Sequence, residues 1–111
     1  VKQINDKAQK IVKALNSEAF DFEQVTVDNT AGGVALTAET YEGATRAFIT
    51  IEGTDGIQIR YRMDGGAPTT TVGHLAYVGD VLMLESVSDI ANFRAIRTAD
   101  TSVTLSVTYS N

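Results

Sequence analysis

His74 is the single histidine of this chain and cysteine is absent, which narrows the chemistry open to it. Thiol catalysis, disulfide scaffolds, zinc ribbons and iron–sulfur ligation are excluded, and a site with two histidine ligands cannot be built. A general base at His74, in the run Val72-Gly73-His74-Leu75, would need a carboxylate to orient one ring nitrogen and a nucleophile to approach the other. No neighbour in sequence supplies that set, so His74 reads as a half-buried ring that caps a loop or hydrogen-bonds a backbone carbonyl. Asp28, Asn29 and Thr30, or Asp55, Asp64 and Asp80, offer the hard oxygens that a divalent cation takes. Neither set has ligand-loop spacing, and turn-forming Asx chemistry accounts for both. Gly32-Gly33 and Gly53-Thr54-Asp55-Gly56 lack the Lys-Ser/Thr continuation and the following long helix of a phosphate loop. No catalytic residue, metal or cofactor is expected.

Two further sets would bind rather than react. Arg60 and Arg62 fall on one strand face, and with Arg94 and Arg97 they would form a rigid positive patch suited to an anionic ligand or an acidic protein surface. Cross-strand pairing with Glu52, Glu85 or Asp64 is the competing use of the same side chains, each exposed pair contributing under about 1 kcal/mol. Tyr41, Tyr61, Tyr77 and Tyr109 with Phe20, Phe22, Phe48 and Phe93 offer a sugar-stacking platform. There is no tryptophan, however, and strand aromatics usually face the core.

The elements that position these residues follow from periodicity. Ile4, Ala8, Ile11, Val12 and Leu15 recur at helical spacing, which predicts an amphipathic helix over 3–15. At about 1.5 Å per residue it is about 20 Å long, too short to persist in water unless its stripe is buried on its own domain or on a partner. After Asn16-Ser17 the period changes to two. Ile57, Ile59, Tyr61 and Met63 alternate with Gln58, Arg60 and Arg62, and Val103, Leu105, Val107 and Tyr109 alternate with Thr104, Ser106 and Thr108; these are one-sided, antiparallel-type strands. Further strands are expected over 22–27, 34–37, 46–52, 74–77, 81–86 and 93–98, with Gly, Asn and Asp turns between them. About eight short strands predict a mainly β chain, an antiparallel β-sandwich or jelly-roll-like domain over 18–111 preceded by the helical segment 1–17. Pro68, the only proline, lies in a polar stretch where its missing N–H harms no central ladder.

Size and charge limit the partners. The 111 residues and 11.9 kDa suit one compact domain, and no apolar run approaches the roughly 18 residues of a membrane helix. The net charge of −5 opposes phosphate-backbone binding, which needs clustered Lys and Arg, so neither nucleic acid nor a membrane is expected. The distribution is uneven. All four lysines (Lys2, Lys7, Lys10, Lys13) lie in the first thirteen positions, so that residues 1–20 carry a net +2 against Asp6 and Glu18, while five arginines and twelve carboxylates leave residues 21–111 at −7. Lys2, Ile4, Lys7, Ala8, Ile11 and Leu15 are accordingly the expected partner-binding set, and Arg60 and Arg62 a second surface.

The run from Ile59 to Thr69 (Ile-Arg-Tyr-Arg-Met-Asp-Gly-Gly-Ala-Pro-Thr), then Val72-Gly73-His74-Leu75, Gly79-Asp80 and Phe93-Arg94-Ala95-Ile96-Arg97, resembles a pattern seen in short structural proteins of tailed bacteriophages and prophages, across roughly residues 25–109. The resemblance implies a β-rich, non-enzymatic virion component, such as a capsid decoration or cement protein. It also implies assembly in the host cytoplasm and contact with the major capsid protein or other virion proteins as a trimer or dimer. In that setting the lysines face an acidic surface while the apolar stripe is buried. The segment Ile59 to Thr69 is also similar to a strand-turn of fibronectin-like modules in bacterial glycosidases, over about a tenth of the chain. The alternative expectation is a carbohydrate- or host-surface-binding adhesion module of a tail or fibre, using exposed tyrosines and the Arg60/Arg62 face.

Overall fold

A computed structural model describes residues 18–111. The helix expected over 3–15, and with it Lys2, Ile4, Lys7, Ala8, Ile11 and Leu15, lies outside the described residues. The chain from Glu18 onward is mainly β, with eight strands: β1 (Ala19–Val27), β2 (Val34–Ala35), β3 (Arg46–Glu52), β4 (Gln58–Arg62), β5 (His74–Tyr77), β6 (Val81–Leu84), β7 (Arg94–Arg97) and β8 (Val103–Ser110). Two short helices interrupt them, α1 (Ala38–Tyr41) and α2 (Val87–Asn92).

The strands form two four-stranded antiparallel sheets, ordered β1-β8-β3-β6 and β2-β7-β4-β5. Every strand pairs with the one whose number completes nine: β1 with β8, β2 with β7, β3 with β6 and β4 with β5. Two further pairings, β3 with β8 and β4 with β7, join these ribbons edge to edge within each sheet. The pattern is that of one long hairpin, folded at the β4–β5 connection and wrapped so that its ribbons alternate between two sheets.

The period-two pattern explains why the sheets bury what they bury. Val103, Leu105, Val107 and Tyr109 are all buried along β8, and Ile59 is buried on β4 with Tyr61 packed partly against the same interior. Inward residues of both sheets, with Phe93 and Ile90, belong to one contiguous cluster. Burying each large apolar side chain contributes about 1.5–3 kcal/mol. Phe93 within it is fully buried and stacked on Tyr61 at a ring separation of 5.8 Å.

The helices are positioned by side-chain bonds. Ser86 caps α2 by accepting from the Asp89 amide at 3.0 Å, relieving one of the free amides of a first turn. Thr37 precedes α1 without capping it; its hydroxyl instead donates to Glu23 on β1 at 2.6 Å. At the tight turn after β1, Gly33 has φ +84, and a β-carbon there would stand 3.0 Å from the side chains of Pro68 and Arg94, a combination only glycine meets without strain.

Candidate functional site

His74 is exposed, and its ring lies tilted against Tyr61 at 5.4 Å. The half-buried, loop-capping role expected of it is not what the structure shows. Among the described residues no group of three His, Asp or Glu side chains is placed to hold a metal ion, and no helix is long and apolar enough to cross a membrane. The turn aspartates are occupied locally. Asp28 accepts from the amide and hydroxyl of Thr30, which hold its carboxyl below the ordinary carboxylate range, and Asp80 accepts from the Tyr77 amide at 2.9 Å.

The arginines divide. Arg62 lies opposite Arg94 in the β4–β7 register, and Arg60 lies two residues back on the same outer face of the second sheet. Arg97 has the opposite parity and donates to Ser102 at 2.8 Å, so it leaves the set. Arg62 reaches Asp64 through Nε at 3.0 Å and Nη2 at 2.7 Å, the one ion pair among the described residues. That guanidinium, joined by the Gly66 amide, holds the Asp64 carboxyl down to about 2. Arg60 donates from Nη1 to the Gly73 carbonyl at 2.8 Å, while its Nε is buried without a partner. Between these two anchors runs the 64–73 loop, whose Pro68 is fully buried beside Gly33 and Gly73. Pro68 is thus a packing residue on the outer face of this sheet, a role its polar sequence context did not signal. Both arginine heads are engaged with the loop, which covers part of this face, while Leu75 and Tyr77 on β5 remain exposed.

The first sheet is different. On its outer face Phe22, Thr108, Phe48 and Met83 stand in register across all four strands, and Phe22, Phe48 and Met83 are each 43–55% exposed. Val81 extends the patch along β6 and Phe20 begins it on β1, beside the register irregularity between Ala19 and Asp21. The other half of the same face is polar: Gln24 donates to Ser106, and Ser106 donates to Glu52. Scattered surface apolar groups are ordinary, but a contiguous row bounded by polar groups marks a contact surface. The expectation that strand aromatics face the core holds for Tyr109 and Phe93 and fails for Phe20, Phe22, Phe48 and Tyr77, all of which are exposed.

A third cluster closes the end of the fold nearest α1. Glu23 accepts from the Tyr109 phenol at 2.5 Å, from the Thr37 hydroxyl, and from the Thr37 amide at 3.2 Å. Burial, then the bond to Glu23, pushes the Tyr109 phenol well above its ordinary range. The bond ties β8 to β1.

No protein-family model, curated protein or solved structure matches this chain.

Proposed function

We propose that this protein is a non-enzymatic structural component of a bacteriophage virion, a capsid decoration or cement protein built on a jelly-roll sandwich. The observation that carries the reading is the strand order. Two four-stranded antiparallel sheets made by a wrapped hairpin, ordered β1-β8-β3-β6 and β2-β7-β4-β5, support a double-sheet jelly roll, an architecture used by viral capsid and lectin domains. Fold alone does not assign a task. The resemblance of residues 25–109 to small phage structural proteins supplies the class.

In this reading weak contacts repeated over a shell sum to stable attachment. Lys2, Lys7, Lys10 and Lys13 face an acidic virion surface, and closed symmetry, a trimer or dimer, covers the long edge strand β1. The adhesion alternative has less support, because Arg60 and Arg62 spend their guanidinium groups on Gly73 and Asp64 rather than presenting them to a glycan.

The test is to purify particles from cells producing a tagged full-length chain and quantify it per particle, beside a variant with the four lysines changed to glutamate. Stoichiometric retention that the variant loses supports the proposal. A chain that never co-purifies with particles overturns it.

A further inference from the structure

An antiparallel sheet ordinarily turns a polar face to solvent, yet the first sheet exposes Phe22, Phe48 and Met83 on its outer side. Two uncharged rows stand there in register across all four strands: Phe22, Thr108, Phe48 and Met83, then Gln24, Ser106, Thr50 and Val81. Charge flanks them along β3, at its exposed first and last residues, Arg46 and Glu52. An uncharged centre bearing aromatic and methionine side chains, bounded by charged residues, has the composition of an interface core and its rim.

The order of side-chain sizes says what fits. Thr108 is the one short side chain of the first row, so a hollow lies over β8 between Phe22 and Phe48, which are two strand spacings, about 9.6 Å, apart. Consider a two-fold axis between two such facing sheets, parallel to the strands and midway between β8 and β3. It sets each copy's Phe48 over the other's Thr108, and each Phe22 over the other's Met83. The same axis keeps the uncharged rows opposed, with Ser106 against Thr50 and Gln24 against Val81. The face is therefore complementary to itself, as an isologous contact requires. Its area is also sufficient. Four strands are about 19 Å wide, and the eight residues of β8 about 27 Å long, so two copies cover about 1,000 Å² even in flat projection. Specific interfaces begin at about that size.

We infer that the protein forms a two-fold dimer in solution through the outer faces of its first sheets, packed about 10 Å apart, with Phe48 of each copy seated over Thr108 of the other. The contact buries Phe22, Phe48, Val81 and Met83, which the single chain leaves exposed. This inference concerns the isolated protein and stands whether or not the virion reading does, since its test uses no particles.

Sedimentation velocity on the full chain, from about 1 µM to about 1 mM, is expected to show the 11.9 kDa monomer giving way to a species of twice that mass. Phe48→Asp is expected to raise the dissociation constant at least about thirtyfold. Thr108→Phe fills the hollow and is expected to break the dimer, although it adds apolar surface. Combining Thr108→Phe with Phe48→Thr exchanges knob and hollow, and is expected to restore it. Strand amide exchange verifies that each variant is folded, and Thr108→Phe carries the test if Phe48→Asp does not fold. A monomer at every concentration would overturn the inference and leave the face to residues 1–17 or to an external partner. So would a dimer that Phe48→Asp leaves intact, which would move the contact to the β1 edge. A dimer that Thr108→Phe strengthens would also overturn it, by showing an apolar patch without a defined fit.

Discussion

Tyr109 on β8 donates its phenol proton to Glu23 on β1, 86 residues away in sequence, and the bond joins the first and last strands of the fold at 2.5 Å. Its partner Glu23 also takes both Thr37 bonds, so one carboxylate fixes β8 and the entry to α1 together. Tyr109→Phe is expected to destabilise the protein by about 1–2 kcal/mol in urea unfolding. The phenol is raised above its ordinary value of 10.0 when folded. Its contribution is therefore complete below pH 10 and lost as pH climbs toward the folded value. Wild type is expected to lose stability steeply above pH 10, and the phenylalanine variant to show a flatter profile there.

The Arg62–Asp64 clamp has the opposite sign. Asp64 is held at about 2 against an ordinary 3.8, so the clamp is intact above pH 4 and is lost as pH falls through about 2. A β-carbon at Gly66 would stand 2.3 Å from the Arg62 guanidinium. Gly66→Ala therefore displaces Arg62, and the Asp64 carboxyl, followed by NMR titration, is expected to return toward 3.8. A carboxyl unmoved in the variant would show that Arg62 does not hold it.

Adjacent glycines give a sharper contrast. Gly32 and Gly33 both have positive φ, but a β-carbon at Gly32 meets open space while one at Gly33 meets Arg94 and Pro68 at 3.0 Å. Gly32→Ala is expected to cost about 1–2 kcal/mol for backbone conformation alone. Gly33→Ala should cost more, by dislodging the buried proline. Equal midpoints in denaturant would show that Pro68 yields freely.

Phe93→Ala opens a void in the shared core and is expected to cost about 3–5 kcal/mol. Calorimetry on the full chain measures it, and a loss below 1 kcal/mol would mean that the interior collapses around the gap.

Much of the β domain was legible in the residues. The alternation in 57–63 and 103–109 placed Ile59, Leu105 and Tyr109 inward because a half-buried strand has only two faces. The eight strand positions were equally readable from the turn residues between them. What alternation does not specify is which faces remain open. In β6 the run Val81-Leu82-Met83-Leu84 is apolar at both parities, and in β1 Phe20 and Phe22 have one parity while Val25 and Val27 have the other. Both patterns require a sheet apolar on each side over part of its length, a signal visible in the sequence once pairing brings Phe22, Phe48 and Met83 into one row. The helices α1 and α2 are not legible in the pattern, because at four and six residues they are shorter than a hydrophobic period can declare. The patch expected of Arg60, Arg62, Arg94 and Arg97 loses Arg97 to the opposite parity, and the engagement of Arg60 and Arg62 with the 64–73 loop depends on contacts that no local pattern encodes.

The nested pairing of strands also orders events in time. The β4–β5 ribbon closes across the eleven-residue connection 63–73, the shortest among the nested pairs, whereas β1 and β8 must find each other across nearly the whole described chain. Loop-closure entropy thus predicts a molecule that zips from its middle outward, with β1 docking late. On that order the Tyr109–Glu23 bond forms after the rate-limiting barrier, and its removal is expected to speed unfolding more than it slows folding.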